Sequence, residues 1–180
     1  MRKTNIQPWS EEWKVLFLLE EVKLKDIFKE DCIDIHHIGS TSIATVGCAK
    51  PIIDILIIVS KIECVANHHS EMNDLGYETK GENGIKGRRY FEKGGNNRTH
   101  HVHIFEEGHP QIVTHLNFKH YLLEHADVAK EYGQLKWSLL KRYPHSHDDY
   151  QSKKQQMVKS IAEQAHLWSK KNTKSLKHVL

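Results

Sequence analysis

The run PIIDILIIV, residues 51–59, constrains this chain more than any other stretch. It is apolar throughout except at Asp54, and it reads as a β-strand. A lone carboxylate in such a run is costly to bury without a partner. Asp54 therefore either sits at a strand end facing polar groups or does chemistry. Ahead of it, after a shorter strand-like run at residues 33–38, lies the loop GSTS. Gly39, Ser40, Thr41 and Ser42 offer small side chains, hydroxyls and accessible backbone N–H groups. The two runs read as strand, loop, strand, with neither a helix nor a tight hairpin turn between them.

The rest of the chain supplies helices around this pair. From Ser10, a cap followed by Glu11 and Glu12, a helix is expected to about Phe28. Trp13, Leu16, Phe17, Leu24, Ile27 and Phe28 fall on one stripe of its 3.6-residue period. Glu20 falls on the same stripe, either as a boundary residue or as a group pointing into a polar site. SKIE, residues 60–63, reads as a capping box opening a helix that ends near Leu75, with Gly76 closing it. Gly81, Gly84 and Gly87 punctuate short strands around Tyr77 and at residues 88–92. THHVHIF, residues 99–105, alternates like another strand. From about His115 the patterns are helical, at residues 116–123, 128–140 and 150–168, with Pro144 separating the last two. The fold class is α+β, a mixed sheet with flanking helices and a helical C-terminal part. No repeat or linker divides the 180 residues, which suit a single domain. Within it, residues 10–110 form the sheet core, 113–170 the helical part and 171–180 a tail.

Composition narrows the function classes. At 38% hydrophobic and 27% charged, the chain reads as a soluble globular protein. No window approaches the roughly 18 apolar residues of a membrane span, and MRKTNIQPWSEEW lacks an apolar signal core. Three widely spaced cysteines, Cys32, Cys48 and Cys64, suggest reduced thiols and a cytoplasmic setting. A formal charge of +3 is too small to point to nucleic acid. Lys170, Lys171, Lys174 and Lys177 read as a solvated tail.

Small residues with convergent N–H groups hold phosphate well, although GSTS is no Walker loop and a plain turn is the competing reading. With Asp54 on the next strand, the loop could grip a triphosphate while the carboxylate holds a bridging divalent metal. Two-metal phosphoryl transfer wants a second carboxylate two residues on, where this chain has Leu56. Further ligands would then come from elsewhere. His101 and His103 share one strand face, and His100 and Val102 the other. Such imidazoles suit Zn, Mn or Fe better than Mg, or else line a polar, hydrogen-bonded face. Arg89, Phe91 and Lys93 share a face opposite Arg88, Tyr90 and Glu92. One of these faces meets phosphate, or the strand is a solvated edge. Lys50 is the remaining loop cation.

HIGSTSI…AKPIIDILI, GRRYFEKG, RTHHVHIFEEGH and HLNFKHYLLEHADVAKEYGQLK, followed by Tyr150 and Lys154, closely resemble the GrpB family over residues 13–168. The resemblance implies a nucleotidyltransferase-superfamily fold, whose signature is a Gly-Ser loop followed by an acidic strand. It makes Gly39 and Ser40 that signature and Asp54 the metal carboxylate. It also implicates Lys50, Arg89, His101, His103, Lys136, Tyr150 and Lys154. The chain departs from the family pattern at Ala44-Thr45, where Pro-Gly is usual, and in a loop about one residue longer. FKHYL at residues 118–122 replaces the common FRDYL, so Lys119-His120 stands in place of an Arg-Asp pair.

The expectation is a metal-dependent nucleotidyltransferase with a nucleoside triphosphate on residues 39–42 and Mg²⁺ or Mn²⁺ on Asp54. Lys50, Arg89, Lys136, Tyr150 and Lys154 are further nucleotide-binding candidates. His101 and His103 act as metal ligands or general base. The expected partners are a nucleotide and a small-molecule acceptor, with neither membrane nor nucleic acid, and the oligomeric state is left open. Two alternatives stand beside this. One is a non-catalytic module for a nucleotide or CoA-like ligand, motivated by Leu56. The other is a histidine-based metal hydrolase, motivated by His101 and His103.

Overall fold

A computed structural model describes residues 5–172. In chain order they form β1 (Gln7–Pro8), α1 (Glu12–Phe28), β2 (Cys32–Ile38), β3 (Cys48–Ala49), β4 (Ile53–Val59), α2 (His69–Asp74), β5 (Tyr77–Thr79), β6 (Arg89–Lys93) and β7 (His100–Glu106). The helices α3 (Pro110–Glu124), α4 (Ala126–Arg142) and α5 (His147–Lys171) follow. Lys170 and Lys171, expected to belong to a solvated tail, close α5, and the rest of that tail from position 173 on, with Lys174 and Lys177, lies outside the described residues. The chain forms two compact units. Ser10–Ser42 and Pro51–Val113 make one, and Ile43–Lys50 joins the described residues of Met1–Trp9 and Thr114–Leu180 in the other.

The first unit is built on a five-stranded sheet of order β2-β4-β7-β6-β5. β4 and β7 are parallel, and the other neighbours antiparallel. Ile53, Ile55, Leu56, Ile57 and Val59 are all buried, so both faces of β4 are covered and its apolar continuity is explained. α1 buries Trp13, Phe17, Leu24 and Phe28, whereas Leu16, expected on that stripe, is exposed. Ser10 Oγ accepts from the Glu12 N–H at the start of this helix.

Glu20 is buried to 3% exposure on the inner side of α1. It accepts from Lys93 Nζ at 2.6 Å, Lys23 Nζ at 3.0 Å and the Tyr77 hydroxyl at 3.0 Å. The apolar stripe thus carries a carboxylate because β5 and β6 bring partners to it.

The segment after β4 differs from the expected single helix. Ile62–His68 is a 3-10 helix, and α2 continues for only six residues. The Ile62 N–H is capped by Glu106 Oε2 of β7 at 3.0 Å, a long-range partner that supplants the local Ser60 box. Gly76 does close the helix, at φ 88°.

The second unit holds a short antiparallel ribbon of β1 and β3. Its core gathers Ile43, Val46, Tyr121, Leu122, Ala129, Tyr132, Ile161 and Ala165, with Ile6, Cys48, Leu139 and Tyr150 in a second cluster. Gly133 of α4 lies against the Val46 carbonyl so closely that an added Cβ would overlap that oxygen.

Burial pushes the Glu20 carboxyl up, but the Lys93 and Lys23 ammoniums outweigh it and hold the group below its usual value. Its contribution to stability is therefore complete above the unfolded value, about 4.3, and is lost as pH falls through the lower folded value. Glu20→Gln should cost about 1–3 kcal/mol at neutral pH. In urea titrations across pH, the gap between variant and wild type should close in acid. A gap that persists unchanged at low pH would show that the charge is not what matters.

Candidate functional site

Register decides which side chains of the sheet meet. Asp54 stands opposite His101 in the β4–β7 ladder, His101 opposite Glu92 in β7–β6, and Ile38 opposite Asp54 in β2–β4. One row on one face of the sheet therefore holds Ile38, Asp54, His101 and Glu92. The next row on that face holds His36, Leu56, His103 and Tyr90. Asp54 and His101 are near the starts of their strands, and Gly39 directly follows the end of β2.

Within the first row, His101 Nδ1 donates to Asp54 Oδ1 at 3.0 Å. The other ring nitrogen, His101 Nε2, is buried and has no hydrogen-bond partner among the described residues. Buried polar atoms are nearly always satisfied, so such an atom marks a place where water, an ion or a substrate group belongs. Gly39 adopts φ 69°, and a Cβ there would overlap Asp54 Oδ2 and come 3.0 Å from the aspartate Cβ. Glycine is required twice over, by backbone and by space.

The loop hydroxyls divide. Thr41 is buried, with its Oγ1 2.9 Å from His37 Nε2 and donating to the Ile52 carbonyl at 3.4 Å. Ser42 Oγ donates to the Gly39 carbonyl at 2.7 Å. These two hold the shape of the loop. Ser40, just before them in the same 3-10 turn, is half-buried.

Further along the face, Glu92 pairs with Arg98 and accepts from Tyr90, whose phenol burial pushes up. Arg88, one residue before β6, is 5% exposed and lies 4.6 Å over the Tyr90 ring. Its Nη1 approaches His103 Nδ1 at 3.4 Å. Arg89 instead stands opposite Ile104 and shares the other face with Phe91 and Lys93. Its Nη1 donates to the Arg88 carbonyl at 3.1 Å. The arginine on the Asp54 face is thus Arg88 and not the expected Arg89. Arg88, Tyr90 and Glu92 were missed as site residues, although the period-2 alternation already grouped them opposite Arg89.

Asp54 and His101 are brought together, but Asp54, His101 and His103 are not assembled as three metal ligands. Among the described residues no three His, Cys, Asp or Glu side chains are grouped to hold a metal. Asp54 fits a lesser demand, a Mg²⁺- or Mn²⁺-type ion whose remaining ligands are phosphate oxygens and water, with His101 orienting the carboxylate through Nδ1.

Lys50, Lys136, Tyr150 and Lys154 all fall in the helical unit. Lys136 is 3% exposed; its Nζ donates to the Cys48 carbonyl at 2.5 Å and lies 4.7 Å over the Tyr132 ring. Burial, reinforced by the Lys154 charge, pulls Lys136 down to about 8. Lys50 and Lys154 lie 5.4 Å and 5.9 Å over the buried Tyr150 ring. The helical unit therefore gathers three cations around two tyrosines.

The mixed sheet, with a Gly-Ser loop leading onto an acidic strand, is a nucleotidyltransferase-like fold. A solved structure of Cid1, described by its RNA terminal uridylyl transferase activity, shares it at TM-score 0.52 and 16% identity over 75% of this chain and 43% of that one. The GrpB protein family model matches residues 3–164, and the chain belongs to the GrpB family. The crystal structure of GrpB from Enterococcus faecalis is similar at TM-score 0.85 and 42% identity, covering 89% of this chain and 96% of that one. UPF0157 protein YqkA of Bacillus subtilis is 48% identical over 94% of this chain, which spans only about half (49%) of that relative. Glutamate-rich protein GrpB of Alkalihalophilus pseudofirmus is 35% identical over 84% of this chain and 90% of its own length.

Gly39→Ala should lower stability by about 1–3 kcal/mol, because strain and overlap with Asp54 add. Ser40→Ala should stay within about 0.5 kcal/mol of wild type. Urea midpoints check the contrast, and equal costs would mean that the loop is not packed on the carboxylate.

Proposed function

We propose that this chain is a divalent-metal-dependent nucleotidyltransferase, moving a nucleotidyl group from a nucleoside triphosphate to a hydroxyl or amine of a small acceptor. The observation that carries the reading is Asp54 itself, packed under Gly39 of the loop and bonded to His101 on the parallel neighbour. In this reading the backbone N–H groups of the loop and the Ser40 hydroxyl hold phosphate oxygens. Asp54, oriented by His101, would hold Mg²⁺ or Mn²⁺, which would offset charge developing on the transferred phosphoryl group. The lone pair of His101 takes the acceptor's proton, and the His103 imidazole orients the acceptor. Lys50, Lys136 and Lys154 support the reading separately, as cations arranged for an anion. Lys136 is held by a carbonyl and a ring face. The fold shared with Cid1, an RNA terminal uridylyl transferase, supports the reaction class.

A binding module without chemistry has one observation on its side. Position 56 is a fully buried leucine, and Glu92 is already engaged by Arg98 and Tyr90. The row around Asp54 thus offers no second carboxylate for a metal pair.

Thermal-shift titration of wild type and Asp54→Asn with ATP, GTP, CTP, UTP and CoA, each with Mg²⁺, Mn²⁺ or chelator, separates the two. A ligand at 100 times its Kd stabilises the native state by about 2.7 kcal/mol. The expected outcome is a metal-dependent nucleotide shift that Asp54→Asn abolishes. A shift indifferent to metal and to Asp54 would establish the binding module, and no shift with any nucleotide would sink both. A second expectation concerns Lys136. Affinity for inorganic triphosphate should fall as pH rises through about 8, where Lys136 loses its proton. Lys136→Met should remove that step in calorimetric titrations, and an unchanged pH profile would show that Lys136 does not hold the anion.

A further inference from the structure

We propose that Asp54 and Arg88 sort the two histidines of β7 into opposite roles. His101 presents an unprotonated Nε2, a lone pair for a cation or an acidic proton. His103 carries its proton on Nε2, the tautomer whose N–H suits an anionic oxygen such as that of a phosphate. The inference rests on the nucleotidyltransferase reading for what the two groups serve, but not for the sorting itself.

The sorting follows from what each neighbour can do. A carboxylate only accepts, so the bond from His101 to Asp54 Oδ1 at 3.0 Å requires the proton on Nδ1. In the neutral ring Nε2 then carries the lone pair, and this is the nitrogen that is buried without a hydrogen-bond partner. A guanidinium only donates, so Arg88 Nη1 at 3.4 Å from His103 Nδ1 requires that nitrogen to accept. The proton of neutral His103 is therefore on Nε2.

Arg88 is not able to swing away. Its Nε donates to the Glu82 carbonyl at 3.1 Å, its Nη2 to the Asn83 carbonyl at 2.7 Å, and its plane rests on Tyr90. Both rings project from one face, two residues apart on β7, so the sheet presents an acceptor and a donor nitrogen side by side. Ligating histidines are commonly oriented by a carboxylate on the other nitrogen, which is the geometry of His101 and the opposite of that of His103. Arg88 is a positioning residue in this scheme, acting through His103.

Two-bond ¹H–¹⁵N spectra of labelled protein at about pH 8, above the ordinary histidine range of about 6.5, read the tautomers directly. The two rings are assigned by the signals lost in His101→Gln and His103→Gln. The expected patterns are protonated Nδ1 for His101 and protonated Nε2 for His103. Arg88→Gln, whose amide can donate or accept, should move only His103 toward a mixture. One tautomer in both rings, or Nδ1–H in His103, overturns the sorting. Should Arg88→Gln not fold, the wild-type spectrum alone decides. Inorganic triphosphate added without metal should shift the His103 Nε2 resonance and leave that of His101 in place; an unmoved His103 removes the donor role. No nucleotide enters the tautomer measurement, so its failure is distinct from failure of the transferase reading.

Discussion

The parallel register of β4 and β7 sets Asp54 beside His101, and the rest of the candidate site is arranged around that pair. A slip of one residue would carry Asp54 to the opposite face of the sheet and leave an isoleucine under the Gly39 turn, since alternate side chains of a strand change faces. Such a slip is opposed on both sides of β4. Ile53, Ile55 and Ile57 are buried on one face and Leu56 on the other, so no shift keeps the apolar set covered and the carboxylate partnered. The hydrophobic run therefore aims Asp54 as well as burying the strand that bears it.

The sheet separates two polar assemblies that use similar residues for different ends. Under α1, Glu20 accepts from Lys93, Lys23 and Tyr77 and is saturated by them, a closed network of the kind that fixes how a helix lies on a sheet. On the other face, Asp54 meets one imidazole and a glycine turn, and the nitrogen beyond that imidazole is unsatisfied. His100 and His101 fall on opposite faces of the sheet. They are neighbours in sequence, yet burial holds the His100 imidazole below its usual value beside the Glu20 network, while His101 belongs to the Asp54 row.

Much of this was legible in the residues. Periodicity located α1, the four longer strands and the three long helices, because each has enough apolar repeat to speak for itself. Alternation also told which residues of β6 and β7 share a face. It did not tell which face of β6 joins Asp54, since that depends on pairing β6 with β7, and so the family pattern led to Arg89 where register places Arg88. The helix expected at residues 60–75 was misjudged for a similar reason. Its first N–H finds Glu106, 44 residues away, and a local capping signal carries no information about such a partner. The ribbon of β1 and β3 is two residues deep and leaves no periodic trace. The loop hydroxyls looked equivalent in sequence, but only packing reveals that Thr41 and Ser42 are spent on the loop itself.

Charge bears on how the single carboxylate Asp54 would serve the proposed metal reaction. Around Asp54, Glu92 is balanced by Arg98, and Arg88 stands further along the same face. A bare divalent ion would bring two positive charges to a surface with little negative charge to spare, and desolvating it there would be costly. The same ion carried by a nucleoside triphosphate arrives as part of a net anion, with phosphate oxygens as most of its ligands. The single carboxylate then needs to orient the complex rather than capture the metal. In the proposed reading the donor nitrogen of His103 and the Ser40 hydroxyl then share a purpose. Both would meet the oxygens that bring the ion in.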